Sequence, residues 1–145
     1  MLTIRRVQPN DIFPIIALAY DTLPERYNPA IFNQLYENSA ESFLVAVQDR
    51  THIGFLIGVK TTQTKARILM LALKETYRNK GIGSALLQRF LSDMQHHGVT
   101  SIELELRISN QVALNFYKKH GFELVNIVPH FYQNHEHAYI MKKEL

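Results

Sequence analysis

The chain has 145 residues, 46% of them hydrophobic and 20% charged, with 16 Lys and Arg against 13 Asp and Glu. That size fits one domain spanning residues 1–145, and the composition fits a packed interior rather than disorder. The lack of cysteine excludes disulfides, thiolate metal sites and cysteine nucleophiles, and a net charge of +3 is too small and dispersed for a nucleic-acid surface.

No apolar run reaches the length of a membrane span; Ile68 to Leu73 is typical of the longest. Arg5-Arg6 is followed by Gln8-Pro9-Asn10-Asp11 and Pro14, which interrupt any signal-like segment. A cytoplasmic protein with no membrane partner is the expectation, in keeping with a cysteine-free chain.

Leu2 to Val7 is a short strand. Asn10 or Asp11 caps a helix to about Tyr20, with Ile12, Ile15, Ile16 and Ala19 as its apolar stripe. Pro24 ends it, and Pro29 opens a second helix carrying Ile31, Phe32, Leu35 and Tyr36. Ser42 to Gln48 and Ile53 to Thr62 read as a hairpin joined by Asp49-Arg50-Thr51-His52. Ala66 to Leu73 is a third strand, apolar enough for a central position buried on both faces.

Gly83 to about His97 is an amphipathic helix stopped by Gly98. Ser101 to Arg107 alternates, with Ile102, Leu104 and Leu106 on one face and Glu103, Glu105 and Arg107 on the other. Ser109-Asn110 caps a helix to His120, and Phe122 to Val128 and Ala138 to Lys143 close the chain as strands. The order β-α-α-β-β-β-α-β-α-β-β describes one α/β sheet flanked by helices.

Chemistry concentrates after the third of these central strands. Arg78-Asn79-Lys80-Gly81-Ile82-Gly83 leads from a strand directly into a helix, where glycines admit an anion and the helix N-terminus adds unpaired donors. A pyrophosphate suits this, although a plain strand-to-helix turn would use the same glycines. The Walker spacing and the Rossmann Gly-x-Gly-x-x-Gly are both absent.

Tyr77-Arg78-x-x-Gly81-Ile82-Gly83 is followed by Leu106-Arg107-x-Ser109-Asn110-x-x-Ala113-x-x-Phe116-Tyr117-x-x-x-Gly121-Phe122. Together these resemble the acetyl-CoA motifs of the GNAT superfamily of N-acetyltransferases. Leu23-Pro24-Glu25-Arg26-Tyr27 and Tyr132-x-x-x-x-Glu136-x-Ala138-Tyr139-x-Met141 narrow the likeness to the protein Nα-acetyltransferase branch, RimI-type and archaeal. The resemblance implies the GNAT fold: a single mixed, largely antiparallel sheet of about seven strands, four flanking helices, and strands four and five splayed.

The resemblance also implies roles. Acetyl-CoA would lie along Leu71, Ala72 and Leu73, its diphosphate on the loop Arg78, Asn79, Lys80, Gly81, Ile82, Gly83 and Ser84. Asn110 would touch the cofactor arm and Tyr117 its sulfur. Glu105 would be the base and Tyr117 the acid that hydrogen-bonds or protonates the leaving thiolate. Alternation alone makes Glu103 and Glu105 a solvated face, and the family match changes that for Glu105. Leu23, Pro24, Glu25 and Tyr27 would form one wall for an acceptor peptide, and Phe131, Tyr132 and Tyr139 the other, with Glu25 meeting a substrate ammonium or a polar first side chain.

The acceptor is then a protein or peptide N-terminus, on one ribosomal protein or many chains. A lysine, polyamine or small-amine acetyltransferase and a non-catalytic acyl-CoA-binding module are the alternatives. Thr76 stands where relatives often have proline, Lys74 replaces a usually apolar residue, and Phe131 replaces the first of two tyrosines. His130, His135 and His137 lie close in sequence, but without a partner at i, i+4 they make a poor zinc set, and no metal is expected. His96 and His97 are explained by the helix end they close.

Overall fold

A computed structural model describes residues 1–145. Seven strands form one sheet in the order β1-β2-β3-β4-β5-β7-β6: β1 (Leu2–Arg6), β2 (Phe43–Gln48), β3 (Thr51–Lys60), β4 (Lys65–Leu73), β5 (Ser101–Arg107), β6 (Glu123–Val128) and β7 (Ala138–Glu144). All neighbours are antiparallel except β4 and β5. Four helices complete the fold: α1 (Ile12–Thr22), α2 (Ala30–Ser39), α3 (Ile82–His96) and α4 (Gln111–Lys119).

Each face of the sheet has its own core. Phe90 of α3 and Tyr117 of α4 pack with Leu44, Leu56, Ile68 and Leu104 of the sheet; Ile15 of α1 and Phe32 of α2 pack with Phe43, Phe55, Met70 and Ala72. Gly58 on β3 sits directly beneath the Phe90 ring, where any β-carbon would collide with it. The β2–β3 turn is tighter than expected. Asp49 and Arg50, at φ of 50° and 67°, make a two-residue turn whose twist suits a hairpin, so β3 begins at Thr51.

Strand β4 departs from the expectation of burial on both faces. Opposite it, Ile57 pairs with Met70 while the next residue, Gly58, pairs with Ile68, so Leu69 is an extra, unpaired residue. A bulge of this kind reverses which way later side chains point. Ile68 therefore packs under α3, whereas Met70 and Ala72 pack under α1 and α2. Leu69 is 37% exposed. The parallel ladder with β5 also stops here, its last pair being Ile68 with Leu104. From Met70 to Leu73, β4 is paired only on its β3 side.

Asp11 secures the start of α1. Its buried carboxylate accepts from Arg5 Nη1 and Nη2 at 2.7 and 3.0 Å, from His52 Nε2 at 2.7 Å and from the Gln8 amide at 2.7 Å. Burial on its own would raise the Asp11 pKa, but the hydrogen bonds from Arg5, His52 and Gln8 outweigh it and bring the value down to about 2. A depressed carboxylate stabilises the fold above its unfolded pKa, and that contribution is lost as pH falls toward 2. Asp11→Ala should cost about 3 kcal/mol at pH 7, because Arg5 and His52 lose a shared buried partner. Urea denaturation should show the difference between variant and parent shrinking below pH 4; a constant difference down to pH 2 would contradict this role.

Candidate active site

The gap between β4 and β5 opens a cleft of about 240 Å³ through the middle of the sheet. Leu71, Glu105, Asn110, Tyr117, Leu23, Pro24, Glu25, Tyr27, Phe131 and Tyr132 all line it, so residues far apart in sequence meet as the resemblance implies. Tyr139 does not join them. It pairs with Leu106, shares that residue's face and packs against the α3 and α4 core. Ala72 turns toward α1 and α2, and Leu71 and Leu73 toward α3, so only the backbone of this stretch faces the gap as a unit.

At the end of β4 the chain runs into a loop with two left-handed residues, Asn79 (φ 61°) and Gly81 (φ 82°). Asparagine tolerates this conformation better than most residues, and glycine adopts it freely. The first backbone bond of α3 runs from the Ala85 amide to the Gly81 carbonyl, leaving the amides of Asn79 to Ser84 without a backbone acceptor. Such successive free amides at a helix N-terminus form an anion-binding concavity. A β-carbon at Gly81 would meet nothing within 4 Å, and one at Gly83 would only make ordinary contact with Leu73 and Phe116 at 3.5–3.6 Å. Internal packing therefore does not by itself require glycine at 83. Arg78 and Lys80 are exposed beside this loop, and Ile82 anchors it in the core. The residues present fit a diphosphate followed by an extended arm along β4.

On α4, Asn110 is the N-cap, its Oδ1 accepting from the Ala113 amide at 3.1 Å. This leaves its side-chain amide hydrogens for a ligand. Tyr117 lies two turns on, 7% exposed, held edge-on between Phe116 and Phe122. Burial alone raises its pKa well above the ordinary phenol value, so it is protonated throughout the working pH range.

The opposite side of the cleft is ionic. Glu105 accepts a hydrogen bond from Arg67 Nη1, and Arg67 Nη2 lies 3.4 Å from Glu103, so one guanidinium fixes both carboxylates on the uncovered sheet face. Glu25 is already engaged: Arg107 Nε donates to its Oε1 at 2.8 Å. Arg107 Nη1 also donates to Asn134 Oδ1 at 2.9 Å and Glu136 Oε1 at 3.0 Å, and its guanidinium stacks 4.1 Å from the centre of the Tyr132 ring. Hydrogen bonds from Ser109 and Arg107 keep the Glu136 carboxyl below its usual range. Burial, assisted by Glu25 and Glu105, pushes Tyr132 up to about 12, and burial likewise raises Tyr27.

Sequence reasoning gave Arg107 no role beyond its place in a motif. It joins the α1–α2 loop, through Glu25 82 positions away, to the β6–β7 loop, through Glu136 29 positions away, a link that no local pattern encodes. The nearby histidines serve the same turn: the His130 amide donates to His137 Nδ1, and His130 Nδ1 lies 3.0 Å from the His135 carbonyl. His96 and His97 bond to the carbonyls of Ser92 and Asp93 in their own helix. Arg107→Ala should release both loops together. Amide hydrogen exchange across residues 23–27 and 131–136 should speed up roughly tenfold; acceleration confined to one loop would contradict the bridging role.

Residues 11–122 match the acetyltransferase (GNAT) family. The chain is 32% identical to an N-alpha-acetyltransferase of Sulfurisphaera tokodaii, over 98% of this chain and 92% of the relative. Among solved structures, Ard1 from Thermoplasma volcanium is 37% identical with a TM-score of 0.95, covering 99% of this chain and 97% of that one. The ribosomal-protein-S18-alanine N-acetyltransferase of Escherichia coli shares the fold at 23% identity, with a TM-score of 0.88 over 99% and 94% of the two chains.

Proposed function

The chain belongs to the GNAT acetyltransferase family, and on that premise we propose that its domain, residues 1–145, acetylates the α-amino group of protein and peptide N-termini with acetyl-CoA. The observation that carries this reading is the gap between β4 and β5, with a free-amide loop on one side of the sheet and a walled cleft on the other. Acetyl-CoA supplies an activated thioester; the chain's residues do the rest.

The amides of Asn79 to Ser84 hold the diphosphate, and the unpaired edge of β4 from Leu69 to Leu73 accepts the arm. Asn110 steadies the same arm. Tyr117 opens into the cleft and donates a hydrogen bond where negative charge develops on the departing sulfur. Its raised pKa makes it a hydrogen-bond donor in preference to a full proton donor. Glu105, fixed by Arg67, takes the proton of the attacking amine directly or through water.

An α-amino group has a pKa of about 7.7–8.0 against about 10.4 for lysine, so roughly a tenth or more of it is neutral near pH 7, while fewer than about one lysine in a thousand is. Proton removal is therefore a light task for an N-terminal acceptor. Leu23, Pro24, Tyr27, Phe131 and Tyr132 line the same cleft and offer walls for a chain end. With Glu25 bound to Arg107, a substrate ammonium meets Glu25 only by competing with that pair. Acceptors from newly made chains in the cytoplasm, ribosomal proteins among them as for RimI-type enzymes, belong to the same proposal.

Peptides with a free N-terminus should be acetylated there, and N-terminally blocked peptides with an internal lysine should remain unmodified by mass spectrometry. Faster lysine modification would favour the small-amine alternative. Tyr117→Phe should lower kcat by about 10²-fold with little change in acetyl-CoA affinity, and Glu105→Gln should lose most rate on the acidic side of the pH profile. Unchanged rates in both variants would remove their assigned roles.

A further inference from the structure

Ser84 lies in the first turn of α3, among the free amides of the loop, and its Oγ is 2.9 Å from His120 Nε2. His120 caps the C-terminus of α4, half-buried, with its ring 4.8 Å from Phe116. Burial, then Lys119 beside it in the chain and Lys143 from β7, lower its pKa, so the imidazole is neutral near pH 7 in the free protein. A neutral ring leaves the hydrogen-bond direction open, and when Nε2 accepts, the Ser84 hydroxyl hydrogen is committed to His120. A protonated ring can only donate, which frees that hydrogen for another acceptor.

The geometry points to a proton-coupled contact: when the diphosphate of coenzyme A docks, His120 takes up one proton from solvent, Nε2–H donates to Ser84 Oγ, and the Ser84 hydroxyl turns its hydrogen to a phosphate oxygen. The negative charge offsets Lys119 and Lys143, which otherwise oppose the imidazolium. His120 is thus a positioning residue for the cofactor, and affinity strengthens as pH falls through its ligand-bound midpoint. This rests on the acetyl-CoA reading above and adds its pH regulation.

The His120 ring resonance can be titrated by NMR in the intact protein with and without dephospho-CoA, which lacks the 3′-phosphate that ionises in the same range. The midpoint should rise on binding by about one pH unit, and Kd should weaken by up to about tenfold per pH unit between the two midpoints. His120→Asn should flatten that dependence, and Ser84→Ala should weaken binding at low pH most. A midpoint unmoved by bound ligand overturns the inference alone, leaving the pair as a pin between α3 and α4. Absence of any binding overturns the acetyl-CoA reading and this inference with it.

Discussion

The fold turns on one interruption in its hydrogen bonding. Strands β4 and β5 run parallel for four residue pairs and then part at Ile68 and Leu104, next to the bulge at Leu69. Free strand edges inside a sheet are costly, because backbone donors and acceptors are obligatory hydrogen-bonding groups. Here the two flanking ladders, β3 with β4 and β5 with β7, hold the strands in place on either side of the gap. The scaffold is thereby rigid on both sides of an opening, and an extended ligand can supply the missing ladder. Free amides at the start of α3 lie at one end of that opening and the Glu105 carboxylate at its far side.

Charge is distributed to match. The α3 side offers donors and cations to an anion, from the backbone of Asn79 to Ser84 and from Arg78 and Lys80. The other side neutralises itself, as Arg67 binds Glu103 and Glu105, and Arg107 binds Glu25 and Glu136. Both arginines stand on the face of the sheet that α1 and α2 leave uncovered, where long side chains reach across neighbouring strands. Arg107 ties the two walls of the cleft together, so the order of one loop depends on the other.

Most of the architecture is legible in the sequence because hydrophobic periodicity and turn residues fix elements locally. Gly98 and Gly121, at φ of 83° and 88°, end α3 and α4 where their placement suggests. The alternation in Ser101 to Arg107 correctly separates core from open face. The bulge was hidden because Ile68 to Leu73 is entirely apolar, so a reversal of facing leaves no trace in the pattern. The resemblance implies Tyr139 in the acceptor wall, whereas in the fold it pairs with Leu106 and packs against the α3 and α4 core. The motif residues of the loop and α4 were readable through family likeness. The Arg67 and Arg107 ion pairs join residues 29 to 82 positions apart and could emerge only from the folded chain.

The central claim is that coenzyme A completes the broken ladder and fills the amide loop. Backbone-resolved NMR during titration with coenzyme A tests it most directly. The largest amide shifts should fall in residues 69–73 and 79–84, with those of β1 and β2 unmoved. Saturable binding whose shifts lie elsewhere, with both of these segments silent, would contradict the account.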